Sequence, residues 1–200
     1  MMRMCHFDMK NLLALFEITD TASGHYRRAG WGVVQVDIQS GTDILTWDYK
    51  QYSRTHFTGI IAFPPCTAYA VSGARWWKGK DASGETDYFD SLVKKMLEII
   101  DYFRPGLKFW WAENPVGRIA KRVPELTKYR LLTFNPCEFG DPYTKKTVLY
   151  GEFNPFLFRH HVPATEGSKM HKVAPTPERQ NIRSATPPGF ARAIFEANNP

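Results

Sequence analysis

The sequence predicts an α/β chain of the doubly wound type, built on a mostly parallel sheet. Two observations carry this. Short apolar, β-rich runs alternate with helix signals, and chemistry-bearing residues stand where consecutive runs end.

Taken in order, residues 11–16 are the first apolar run, and residues 23–29 read as a short helix that Gly30 closes in the left-handed capping position. A second strand over 32–37 follows almost at once, which makes a βαβ unit. The third strand, 58–63, is apolar enough to be buried on both faces and runs into Pro64-Pro65-Cys66. Between Glu85 and Phe103 the residues Phe89, Leu92, Val93, Met96, Ile99, Ile100 and Phe103 recur at helical steps, and Arg104-Pro105-Gly106 ends the helix. Residues 107–112 form the next strand and deliver Glu113-Asn114-Pro115 at its end. Shorter strands are expected at 130–135 and 146–150, then irregular structure over 151–184, where prolines are scattered. A last helix has Thr186 as its N-cap, Pro187 and Pro188 in its first turn, and Phe190, Ala191, Ile194 and Phe195 on one face. Two hundred residues suit a single domain spanning the whole chain.

The formal net charge of +6 suits a polyanionic partner such as nucleic acid. Cys5, Cys66 and Cys137 are odd in number and widely spaced, which argues against a disulfide framework and against a zinc knuckle. No secretory leader and no membrane-length apolar run is found, so a soluble, cytoplasmic protein with no membrane partner is expected.

The strand ends carry the chemistry. Two prolines fix the exit angle of the chain into Cys66, a position for a nucleophile, though a lone thiol there is also a small buried hydrophobe. Asp37 ends the second strand, where a carboxylate accepts from a ribose diol or simply sits in a solvated turn. Asp43 and Ile44 lie just beyond, placed to meet an adenine edge and face.

The succession Leu15-Phe16, Ala29-Gly30-Trp31, Val36-Asp37, Asp43-Ile44, Phe63-Pro64-Pro65-Cys66 with Ser72-Gly73, and Glu113-Asn114-Pro115 resembles the DNA cytosine-5 methyltransferases, most of all their small phage- or prophage-borne members. Pro187-Pro188-Gly189-Phe190-Ala191-Arg192-Ala193-Ile194 is similar to that family's closing helix. The resemblance implies a Rossmann-like fold that binds S-adenosyl-L-methionine, with Phe16, Glu17, Asp20, Asp37, Ile38, Asp43, Ile44 and Pro64 around the cofactor. It implies that Cys66 adds to carbon 6 of cytosine, that Glu113 hydrogen-bonds or protonates ring nitrogen 3, and that Asn114 shapes the strand end. The target base is swung out of the DNA stack. Ser72, Arg75, Arg118 and Lys146 are the expected substrate contacts, with Lys78 and Lys80 as further cations and Trp76 and Trp77 able to stack or wedge. A solvated basic turn over two core tryptophans is the other reading of that loop.

Three departures from the family pattern stand out. The glycines of the first loop are replaced by Ile18 and Asp20, leaving Glu17 and Asp20 as substitutes for contacts to the methionine amino group. In Thr144-Lys145-Lys146-Thr147-Val148, a valine takes an arginine position, so no bidentate contact forms there. Only residues 151–180 fill the place of a target-recognition domain. Arg159, His160, His161, Lys169, His171 and Lys172 in that stretch are candidate phosphate clamps or a solvated loop. DNA, a free pyrimidine nucleotide or another modified base therefore all remain as substrates. A protein partner or self-association is a further expectation, as is a non-catalytic nucleic-acid binder on the same fold.

Overall fold

A computed structural model describes residues 9–168 and 173–200; Cys5, Lys169, His171 and Lys172 lie outside the described residues. The elements are β1 (Asn11–Leu15), α1 (Ser23–Arg28), β2 (Gly32–Val36), β3 (Gly59–Ala62), α2 (Trp77–Ala82), α3 (Glu85–Phe103), β4 (Phe109–Pro115), α4 (Ile119–Arg122), β5 (Arg130–Phe134), β6 (Thr147–Glu152), α5 (Arg179–Ser184) and α6 (Pro188–Ala197). The strands form one sheet in the order β2-β1-β3-β4-β6-β5. β1 pairs in parallel with β2 and β3, β3 with β4, and β6 runs antiparallel to both of its neighbours. The expected doubly wound, mostly parallel sheet is therefore present.

Register is what positions the site. Leu15 pairs with both Val36 and Ala62, and Ala62 pairs with Ala112, so three parallel strands end in one row and β4 passes through it, pairing on with β6 as far as Pro115. Phe16, Asp37, Phe63 and Glu113 are each the next residue along. Because the chain moves from β1 outward to β2 and then returns to the other side of β1 for β3, a crevice opens at this row.

The sheet is covered on both faces, as continuous apolar strands require. Leu13, Leu15, Ile60, Ala62, Trp110 and Ala112 pack against α3 through Leu92, Val93, Met96, Ile100 and Phe103. Leu12, Ala14, Ile61 and Trp111 face the opposite layer, where Tyr26 of α1 meets Phe190 and Ile194 of α6 in one cluster. The Tyr26 and Phe195 rings meet edge to face at 4.9 Å.

Gly30 takes φ +85° and ends α1, as its position in the sequence predicts. Thr186 is not the N-cap of the last helix. That position is Pro187, which makes no side-chain cap, and the Gly189 amide of the first turn donates instead to Asp141 Oδ2 at 3.0 Å. The segment 151–184 is less irregular than its prolines suggest, since β6 extends to Glu152 and α5 forms within it. At six residues, α5 is too short to show a helical period. No helix among the described residues is long and apolar enough to cross a membrane.

Candidate active site

A cleft of about 1470 Å³ opens along the row of strand ends. Phe16, Glu17, Asp37, Ile38, Asp43 and Ile44 line one half of it, and Pro64, Cys66, Ser72, Arg75, Glu113 and Lys146 line the other. Asp20, Asn114 and Arg118 are not in its wall.

In the half that holds Cys66, that residue and Glu113 issue from the neighbouring strands β3 and β4. Asn114 lies behind them, and its Nδ2 donates to the Pro64 carbonyl at 2.8 Å, tying the double proline to β4. Glu113 is 4% exposed, and its Oε1 is buried without a hydrogen-bond partner. An unpaired buried acceptor costs about 1–3 kcal/mol, so its presence in a cleft is a feature of a site awaiting a donor. Lys145 Nζ lies 3.7 Å from that oxygen, too far for a hydrogen bond but close enough to compensate charge. Burial pushes the Cys66 thiol up from its ordinary value, Glu113 pushes it further, and Lys145 and Arg183 pull against them.

Lys145 was not legible as a site residue. The two adjacent lysines before β6 look alike in sequence, and only the antiparallel return of β6, which pairs Thr147 with Pro115, carries Lys145 to Glu113. Val148 is buried in the core opposite Asn114.

The loop after Cys66 turns sharply, the Cys66 carbonyl accepting the amides of Tyr69 and Ala70 at 2.9 Å each. It lies against the end of β4 so closely that a Cβ on Gly117 would stand 1.9 Å from the Tyr69 carbonyl oxygen. Arg118 holds this contact. Its Nε donates to the Ala68 carbonyl at 2.9 Å, its two terminal nitrogens grip Asp81 at 2.7 Å each, and its plane covers the Trp77 ring at 4.6 Å. Arg118 is thus a brace for the Cys66 loop, with four of its five N–H donors engaged within the chain, the fourth by the Thr86 hydroxyl. The guanidinium in turn holds the Asp81 carboxyl well below the usual carboxylate range. Lys80 is likewise engaged, by Glu85. Trp76 differs: it lines the cleft 59% exposed, with the Arg75 guanidinium over its ring at 5.1 Å.

The half of the cleft along Asp37 sets a carboxylate beside an apolar wall. Ile38 is 66% exposed on the cleft wall, an apolar surface open to a flat ring, and it follows directly on Asp37. Asp37 Oδ1 accepts from the Gln39 amide at 2.7 Å, while its Oδ2 makes no hydrogen bond among the described residues. These features fit an adenosine. The first loop contributes less than its sequence suggests. Both Glu17 oxygens accept amides at the start of α1, from Ala22 at 2.8 Å and from Ser23 at 3.2 Å and 3.3 Å, and burial raises its carboxyl above the ordinary value. Asp20 accepts from the Ser23 hydroxyl at 2.5 Å and from Arg27 at 3.3 Å. Asp20 does take φ +53°, the left-handed conformation that glycine favours and that aspartate tolerates better than most residues. Asp43 Oδ1 accepts from the Leu45 amide at 2.9 Å.

A wall that sequence reasoning missed is α5. Asn181 and Gln39 exchange two amide hydrogen bonds, at 3.1 Å and 3.2 Å, which pins the helix to the turn after β2. Arg179, Asn181 and Arg183 all line the cleft. In the same segment, Arg159 is held by Glu138 instead of standing free as a clamp.

No protein-family model and no curated protein matches this sequence. Among solved structures, the chain is similar to an E. coli protein assigned as a DNA modification methyltransferase encoded within a prophage. The TM-score is 0.51 at 16% identity, over 72% of this chain and 47% of that one. The chain has that methyltransferase fold. The Entamoeba histolytica methyltransferase EhMeth gives a TM-score of 0.48 at 16% identity, over 84% of this chain and 61% of that one. The S. pombe Dnmt2 methyltransferase gives 0.47 at 13%, over 79% and 53%. The chain thus spans roughly half the length of the structures it matches.

Proposed function

We propose that the protein transfers a methyl group from S-adenosyl-L-methionine to carbon 5 of cytosine in DNA, through a transient covalent bond to Cys66. The observation that carries this reading is the meeting of Cys66 and a partnerless Glu113 oxygen in one cleft, with Asn114 fixing the Pro64 carbonyl between them.

The cofactor, held along Asp37 and Ile38, supplies an electrophilic methyl group on a sulfonium. Everything else falls to the chain. Cys66 Sγ, as thiolate, forms a bond to carbon 6 of the ring, and the electron pair displaced toward carbon 5 becomes the nucleophile. Glu113 shares a proton with ring nitrogen 3, which draws off the charge that addition creates, while Lys145 balances the carboxylate. After carbon 5 has taken the methyl group, it loses its proton to water, the bond between sulfur and carbon 6 breaks, and Cys66 leaves as thiolate. Trp76 and Arg75, exposed on the cleft wall, suit a neighbouring base of the strand from which the target base is withdrawn.

DNA containing 5-fluorocytosine tests this, because fluorine cannot leave as a proton does and the adduct persists. A protein–DNA adduct that survives denaturation, forms only with cofactor present and vanishes in Cys66→Ser is the expected result; no adduct from the wild-type chain overturns the reading.

A second substrate is favoured by one observation. The described part of 151–187 folds back on its own chain, Val162 N–H donating to the Cys137 carbonyl at 2.9 Å and Asn154 N–H to Asn198 Oδ1 at 2.7 Å, so it offers little surface for reading a duplex. The same chemistry on free dCMP is therefore compared in the same experiment with labelled cofactor. Label on dCMP alone assigns the nucleotide. Calorimetric silence toward S-adenosylmethionine, with intact DNA binding, assigns a non-catalytic binder.

A further inference from the structure

We infer that Arg179 and Arg183 of α5 form a phosphate subsite for the nucleotide whose base enters at Cys66; the identity of that base rests on the function proposed above. The two arginines are four residues apart, so they share one face of the helix, and both line the cleft. Neither forms an ion pair or a side-chain hydrogen bond among the described residues. Arg179 Nε is shut off from solvent and has no acceptor. By contrast, Lys80 and Lys145 on the same cleft already face Glu85 and Glu113. The helix is held at its middle by the Asn181–Gln39 amide pair and beyond its C-terminal end by the continuation through buried Thr186 and Pro187 into α6.

Two unpaired guanidinium groups call for an anion, and planar donors suit phosphate oxygens in particular. The cofactor is a poor candidate, because its sulfonium and ammonium outweigh its one carboxylate. Arg183 and Cys66 line the same cleft, which sets the anion and the substrate base in one space. A phosphate of the target nucleotide, free or within a strand, meets both conditions.

Calorimetry on the full chain without cofactor tests this with dCMP, deoxycytidine, dAMP, a short single-stranded oligonucleotide and S-adenosylhomocysteine. The wild-type protein is expected to prefer dCMP over deoxycytidine by about tenfold or more, and Arg179→Gln and Arg183→Gln to lose most of that preference while keeping their affinity for S-adenosylhomocysteine. Unchanged melting temperatures, and partial retention of the preference in Arg183→Lys, exclude misfolding as the cause. Loss on dCMP alone identifies a free nucleotide, and loss on the oligonucleotide as well identifies a strand phosphate. Equal losses for dAMP, with no adduct on 5-fluorocytosine, keep the phosphate subsite and discard the cytosine reading. The subsite is overturned if both variants keep the preference, if S-adenosylhomocysteine affinity falls instead, or if neither dCMP nor oligonucleotide binds.

Discussion

Asn114 and Pro64 are fifty positions apart in the chain, yet one hydrogen bond of 2.8 Å joins the amide of the first to the carbonyl of the second. Through it, the end of β4 decides where Cys66 points. Asn114→Ala leaves the Pro64 carbonyl without its donor in a buried place, a loss of about 1–3 kcal/mol. Adduct formation with 5-fluorocytosine DNA is expected to slow by about tenfold or more, with the fold retained by circular dichroism. Asn114→Asp, which sets a carboxylate against a carbonyl, is expected to be worse than Asn114→Ala.

Cys66 reactivity should climb with pH beyond the range of an ordinary thiol, because burial and Glu113 both disfavour the thiolate. Iodoacetamide alkylation rates measured against pH give the midpoint directly. Glu113→Gln removes a negative neighbour and is expected to lower that midpoint. Lys145→Met removes a positive one and is expected to raise it. A midpoint indifferent to both substitutions contradicts this account of the site.

Glu17 is expected to make stability depend on pH. Its carboxyl is raised in the folded protein, so the folded state holds the proton more tightly than the unfolded chain does. Its contribution is then fully present below the unfolded carboxyl value and is lost as pH rises through the folded one. Urea unfolding from pH 4 to pH 7 should show this decline, and Glu17→Gln, which keeps an acceptor for the α1 amides without the charge, should flatten it.

Arg118→Lys cannot reproduce the grip on Asp81 together with the bond to the Ala68 carbonyl. Hydrogen exchange is expected to speed up in α2 and in the turn after Cys66 while α3 stays protected. Unchanged exchange in that turn would show that Gly117 packing alone holds it.

Trp76 separates a strand from a free nucleotide as substrate. Stacking on an exposed aromatic is worth about 1–3 kcal/mol per base, so Trp76→Ala should weaken single-stranded DNA binding by about tenfold or more and leave dCMP affinity nearly unchanged. Titration of a labelled oligonucleotide against each protein measures it.

The strands β1, β3 and β4 were legible because a strand buried on both faces is a continuous apolar run, and the half-buried edge strand β2 because its valines are β-branched; a residue able to do chemistry at the end of such a run stands out against it. Asp37, Cys66 and Glu113 stood out in that way, and the structure sets all three on the wall of one cleft. The helices α2 and α5 escaped notice because six residues make less than two turns, too few for a period to show, and neither stands between two strands as the equally short α1 does. Arg118 was read as a substrate contact on its nearness to Glu113 in the chain. Its actual partners, Ala68 and Asp81, come from elements that only folding brings alongside.

What the amino-acid sequence determined by itself was the succession of the strands with α1, α3 and α6, and the residues at the strand ends, because both follow from local hydrophobic pattern and turn chemistry. The tertiary structure alone decided which of those residues face one another. Strand register carried Lys145 to Glu113, α5 closed over the turn at Gln39, and Glu17 and Asp20 turned inward to α1. Such pairings depend on the order in which strands join and on which polar groups burial leaves without water, and neither is written in any short stretch of chain.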